Sequence, residues 1–119
     1  MDILHSKILV IFLVFLGETL AIYAEMIAAR THFVTSQPFL QIFLKMFLMI
    51  VVAGGFLIAG YMLGLSAFKN IWIVSVTSIT SILIMEPILA YVIFQQLPTK
   101  GAVIGLILGI LGFISAMFI

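Results

Sequence analysis

The sequence has no cysteine, which excludes disulfide bonds, thiolate metal sites and cysteine nucleophiles. Charge is also scarce, because Asp, Glu, Lys and Arg make up only 8% of the 119 residues and the net charge is +1. Without a basic cluster, the chain lacks the electrostatic footprint of a nucleic-acid-binding protein. The histidines, His5 and His32, show no metal-ligand spacing. We therefore expect no nucleic-acid partner, no metal and no cofactor.

Apolar residues dominate what is present: 66% of the chain is hydrophobic, and the mean hydropathy is +1.46. A soluble domain of this length needs a polar surface that this composition cannot supply. The composition predicts an integral membrane protein in contact with membrane lipid, which we expect in the inner (plasma) membrane of a prokaryote. No nucleophile–base constellation is present, so an enzyme is not expected.

Four apolar runs follow one another, separated by short polar turns. Each run is long enough to cross a hydrocarbon core of about 30 Å. The first run is too long for the core of a signal peptide, so we expect it to be retained. We predict one all-α membrane domain over residues 1–119, a bundle of four transmembrane helices at about 8–29, 39–68, 71–94 and 101–119.

Two carboxylates lie in the first run, Glu18 at its centre and Glu25 near one end. A carboxylate at this depth costs about 2.5 kcal/mol or more, so a functional role is the default hypothesis. Their spacing is close to two helical turns, which places both on one face. Together with Glu86 in the third run, they are the candidate substrate- and proton-coupling residues.

Ion pairing offers a structural alternative for two of these acids. Glu25, Arg30, Lys45 and Glu86 belong to the same membrane half if the four spans alternate in direction. Intramembrane charges commonly pair, so Arg30 or Lys45 is a candidate charge partner for Glu25. Glu18 has no basic residue at its depth, which favours a functional role for it.

The third run combines hydroxyl groups with a proline. Trp72, Ser75 and Ser78 are candidates for lining a pocket, although hydroxyls in membrane helices also bond to their own backbone or join neighbouring helices. Pro87 directly follows Glu86 and predicts a helix kink, because proline removes a backbone hydrogen bond.

Small residues recur in the fourth run. Gly101, Gly105 and Gly109 are spaced four residues apart, which lets two helices approach closely. We predict a helix–helix contact along this face, and the contact between two subunits is one form it can take.

The second half of the chain resembles one repeat of the drug/metabolite transporter superfamily. The resemblance is carried by the segments 56–68, 85–99 and 105–112: Pro87 in the penultimate helix, Gln95–Gln96 at the turn, and the glycine-rich last helix. The four-helix, single-repeat length is similar to the small multidrug resistance-like and EamA-like members. In the small multidrug resistance branch an essential glutamate lies mid-membrane in the first helix, and Glu18 matches it in depth.

The chain also departs from that branch. Its third helix lacks the Gly-x-Gly of the small multidrug resistance pattern, and Glu25, Glu86 and Lys45 are additional charges. These differences favour the broader single-repeat members, which include flippase subunits for aminosugar lipids. Three hypotheses stay open: a proton-coupled transporter of a cationic or amphipathic small molecule, a flippase or flippase subunit for a lipid-linked headgroup, and a non-transporting accessory subunit.

The distribution of basic residues gives little preference for one orientation. Lys7 and Lys69 lie on one side, and Arg30 and Lys100 on the other, with Lys45 inside an apolar run. Orientation follows the excess of Lys and Arg in short loops, so such a chain can insert both ways. Two copies in opposite orientation would supply the inverted pair that transporters use around a midplane site. We predict an antiparallel homodimer, with a parallel dimer or a paralogous partner as alternatives.

Overall fold

The computed structural model describes residues 3–119, with side-chain surroundings from His5 onward. This part of the chain forms four α-helices: α1 (Ile3–Val34), α2 (Phe39–Phe68), α3 (Ile71–Phe94) and α4 (Lys100–Phe118). All four are long and apolar enough to cross a membrane. The predicted all-α fold of four membrane helices is confirmed, and the chain is an integral membrane protein.

The main difference from the predicted bounds concerns α1, which extends beyond residues 8–29 at both ends. Hydropathy identifies the residues that fit the hydrocarbon, whereas helical hydrogen bonds continue into the interface. The Thr35 backbone N–H still donates to the carbonyl of Thr31, at 2.9 Å. The connection to α2 is therefore shorter than the predicted polar segment at 30–38.

The helix ends are fixed by local hydrogen bonds. The side chains of Asn70 and Thr99 each accept a hydrogen bond from a backbone N–H in the first turn of α3 and α4, at 2.9 and 3.1 Å. Lys69 and Gln95 end α2 and α3 in the left-handed conformation, each with φ of 57°. These short turns make α2 antiparallel to α3, and α3 antiparallel to α4.

The protein core lies where α1, α2 and α3 meet. Val10, Val14 and Val74 are fully buried there. Two glycines of α2 allow this close approach: a Cβ at Gly60 would lie 2.8 Å from Val14, and one at Gly64 would lie 2.8 Å from Val74. Gly60 and Gly64 therefore set the distance between α2 and its two neighbours.

The fourth helix lies at the edge of the molecule. Within the described residues α4 contacts only α3, and none of its residues is buried. The backbone spans 49 × 34 × 17 Å, so the molecule is about two helices thick in its thinnest direction. A layer this thin leaves both of its faces open to lipid or to another chain.

Candidate functional site

Glu18 occupies the midpoint of α1 and receives a hydrogen bond from α3. The hydroxyl of Ser78 donates to Oε1 of Glu18 at 2.5 Å, and Ser78 is only 6% exposed. The structure therefore brings together two of the predicted site residues, from helices that are far apart in sequence.

Ser78 differs from the other hydroxyl groups nearby on α3. Thr77, Thr80 and Ser81 each donate to the carbonyl oxygen four residues earlier, at 2.6 to 2.9 Å. That local bond is the usual one for Ser and Thr inside a helix, and it carries no information about function. Ser78 instead points across the contact with α1, so among these four residues only Ser78 reaches the carboxylate.

The second oxygen of Glu18 is differently placed. Oε2 takes no hydrogen bond, and in the described part of the chain no buried side-chain oxygen or nitrogen lacks a partner. Oε2 therefore reaches the surface of the half-buried side chain. No ion pair involves Glu18 among these residues, so one oxygen is held and the other is open.

Gly17 determines which way Glu18 points, a role that the sequence reasoning missed. A Cβ at Gly17 would lie 2.8 Å from the side chain of Leu57 and 3.1 Å from the carbonyl oxygen of Ala53, so α1 meets α2 at this residue. Successive helical residues are rotated by about 100°, and seating Gly17 against α2 turns Glu18 towards α3. Small residues at helical spacing, Gly17 and the fully buried Ala24, were the available signal.

The other two candidate pocket residues do not contact Glu18. Ser75 is half-buried one turn before Ser78 and forms no hydrogen bond with its hydroxyl. Trp72 is 76% exposed in the first turn of α3 and faces the surroundings. Trp72 does not reach Glu18 because it lies nearly two helical turns before Ser78.

The other two candidate carboxylates, Glu25 and Glu86, interact with each other at a different level of the bundle. Glu25 on α1 and Glu86 on α3 are both exposed, and their carboxylates are near enough to repel each other. Because α1 and α3 run in the same direction, each acid lies on the C-terminal side of the contact between Glu18 and Ser78. The structure therefore separates the Glu18 site from a pair of carboxylates nearer one membrane surface.

Glu25 also borders a shallow groove between α1 and α2. Phe39, Phe43 and Phe47 stack along this part of α2, with ring centroids 5.9 and 5.8 Å apart. His32 meets Phe39 edge to face at 5.6 Å. The carboxylate of Glu25 thus lies beside an aromatic surface. The four-residue spacing of the three phenylalanines in the sequence was the available signal for this surface.

The predicted charge partners of Glu25 are not brought to it within the chain. The α2 side of the groove beside Glu25 is formed by Phe43, Met46, Phe47 and Ile50. Lys45 is rotated by about 200° from Phe43, so it lies on the opposite side of the helix. Arg30 is exposed near the end of α1, and neither base forms an ion pair in the described residues.

Of the three predicted contact glycines of α4, Gly109 meets α3. A Cβ at Gly109 would lie 3.0 Å from Leu83 of α3, whereas nothing lies within 4 Å of that position at Gly101 or Gly105. Within the chain, the predicted close contact therefore involves Gly109. The facing helix, α3, continues through Pro87 without ending there. On the N-terminal side of Gly109, towards Ala102 and Gly105, the two helices leave space between them.

That space is a groove of about 530 Å³ between α3, α4 and their connection. Glu86 is the charged residue of its wall, and Gly105 lies on the α4 side. Tyr91, Gln96 and Thr99 place polar groups around it, and the rest of the lining is mostly apolar.

The chain therefore carries a carboxylate at the middle of its first helix, held by a serine, and a separate groove with a carboxylate in its wall. Comparisons with protein-family models, curated proteins and solved structures found no match.

Proposed function

We propose that the chain is a subunit of a small secondary transporter that exchanges protons for a cationic or amphipathic small molecule. The observation that carries this proposal is the Glu18 carboxylate at the midpoint of α1, with Ser78 on one oxygen and no basic partner. An uncompensated carboxylate at this depth is costly, and membrane proteins that keep one generally use it to handle ions, protons or substrates.

The two oxygens of Glu18 suit an exchange in which the proton and the cation exclude each other. Ser78 holds Oε1 in place, while Oε2 either carries the proton or faces the positive charge of the substrate. Because one negative charge serves both, arrival of the cation releases the proton, and protonation releases the cation. A proton gradient across a prokaryotic plasma membrane would then drive export of the cation.

The thinness of the single chain supports a two-chain transporter. Four helices in a body about two helices thick do not surround a midplane substrate, whereas two such chains facing each other can. We propose a homodimer of antiparallel copies, because inverted repeats let one site open alternately to each side. A paralogous chain in the partner position would provide the same geometry.

Proton flux in liposomes tests the proposed activity. Purified protein is reconstituted with a trapped pH-sensitive dye and challenged with a panel of organic amines, neutral molecules of the same shape, and polyprenyl phosphates. We expect at least one amine, and none of the neutral analogues, to move protons. If no amine in the panel produced proton flux, although circular dichroism showed the protein to be helical, transport would be contradicted. A response to the polyprenyl phosphates alone would favour the flippase.

Labelling of introduced cysteines tests the antiparallel arrangement. The chain has no cysteine of its own, so Ser6→Cys and Ser36→Cys each give a single labelling site. The two sites lie at opposite ends of α1 and therefore on opposite sides of the membrane. We expect an impermeant maleimide to label part of the population of each variant in intact cells, and the remainder after lysis. Labelling of only one variant in intact cells would establish a single orientation and rule out the antiparallel homodimer.

A further inference from the structure

We infer that the groove between α3 and α4 is a second binding site, separate from Glu18, for a free amphipathic organic cation. This inference does not depend on the proposed transport activity. It rests on the size of the groove, on the chemistry of its walls and on an acid without a basic partner.

The dimensions fit one small molecule. The groove encloses about 530 Å³, within the range of about 300–1,000 Å³ that small-molecule sites occupy. Part of this volume lies over Gly105, which has no side chain and where nothing lies within 4 Å of a Cβ position, while Ala102 and Leu106 of α4 line the groove beside it. A neighbouring helix fills such space only where it approaches closely, as α3 does at Gly109 through Leu83.

The charge of the wall selects the sign of the ligand. Glu86 faces the groove, and no base forms an ion pair with it in the described part of the chain. The carboxylate of Glu25 adds to the negative potential at Glu86 and does not neutralise its charge. A monovalent organic cation relieves this repulsion, whereas an anion or a neutral molecule does not.

The remaining walls favour a ligand with an apolar body. Phe94, Leu97 and Leu106 supply apolar surface around the acid, and Tyr91 places an aromatic ring in the same lining. Aromatic rings attract ammonium groups as well as apolar carbon. An alkyl or aryl ammonium therefore matches the groove better than a small hydrated cation.

Depth favours a free cation over a lipid headgroup. Glu86 lies eight residues before Phe94, the last residue of α3, which places it about 12 Å inside the helix end. The ammonium of a membrane lipid would have to leave the polar interface to reach it. A soluble amphipathic amine can instead enter along the groove with its charge leading.

Binding of a fluorescent pyrenylbutyl-trimethylammonium, measured by anisotropy in non-ionic detergent, tests this site. The parent protein carries Glu18→Gln, so that cation binding at α1 does not contribute. We expect saturable binding that falls at least tenfold with Glu86→Gln. We expect the same fall with Gly105→Leu, which fills the groove, and no change with Gly112→Leu, the matched control on an equally open glycine.

The other outcomes are distinguishable. Undiminished binding after both Glu86→Gln and Gly105→Leu would overturn the proposal. No saturable binding of the free amine, together with phosphatidylethanolamine that co-purifies with the parent protein and is lost with Glu86→Gln, would assign the groove to lipid headgroups. If Gly105→Leu left binding intact but changed the oligomeric mass measured by light scattering, the groove would be an interface between copies. A neutral tert-butyl analogue that binds as well as the cation would remove the role of Glu86.

Discussion

Replacing Glu18 by Gln is expected to abolish substrate-driven proton exchange in liposomes. The amide has nearly the same shape and can still accept the hydrogen bond of Ser78 at its oxygen, but it neither carries a titratable proton nor attracts a cation. Loss of flux with normal helicity and an unchanged unfolding transition would therefore identify the charge as the essential feature. Full flux in the Glu18→Gln protein would exclude Glu18 and direct attention to Glu25 and Glu86.

Ser78 provides a graded version of the same test. A hydrogen bond to a charged group contributes about 1.5–3 kcal/mol, so Ser78→Ala is expected to raise the half-saturating substrate concentration by about tenfold or more. Ser78→Thr retains the hydroxyl and should recover part of the loss. Ser75→Ala is the matched control, because Ser75 lies one turn away and does not contact Glu18. Equal effects of Ser78→Ala and Ser75→Ala would show that the hydrogen bond does not position the carboxylate.

The second large effect is expected at Gly64, where α2 meets both of its neighbours. A Cβ there would lie 2.8 Å from Val74 and 3.1 Å from Val10, and both valines are fully buried. Gly64→Leu must therefore push α2 away from α1 and α3. Overpacking of this kind costs about 1–3 kcal/mol, occasionally more, and we expect about 3 kcal/mol here because the residue touches two helices.

Gly55→Leu is the control for that measurement. It adds the same side chain to the same helix, but nothing lies within 4 Å of its Cβ position. Since leucine has a higher helix propensity than glycine, Gly55→Leu should be neutral or slightly stabilising. The free energy of unfolding in mixed detergent, followed by far-UV circular dichroism, compares the two variants. Equal stabilities would mean that Gly64 does not lie at a packed contact.

The candidate ion pair between Glu25 and Lys45 shows what the order of the spans leaves open. Both residues occur in the same membrane half, and that much can be read from the order of the spans. Pairing also requires the two side chains to face each other, which depends on the rotation of α2 about its axis. In the structure that rotation places Phe43 and Phe47 beside Glu25, with Lys45 on the far side.

The glycines show the same limitation. Spacing alone made Gly101, Gly105 and Gly109 the strongest candidates for a close helix contact. The structure places the tight contacts of α2 at Gly60 and Gly64, while Gly101 and Gly105 face open space. A glycine permits close approach, but only the neighbouring helix determines whether the approach occurs.

The sequence by itself determined the class of protein, the number of spans, the residues that form α2 and α3, and the place of Glu18 at the middle of the first helix. These follow from length and hydropathy, because a hydrocarbon core demands about 20 apolar residues per helix with every backbone group bonded internally. Only the tertiary structure decided which face of each helix meets a neighbour. It placed Ser78 against Glu18 and Gly17 against α2, and it left a groove beside Glu86. Lipid and protein interior are similarly apolar, so residues facing either one look alike in the sequence, and packing alone fixes the rotation.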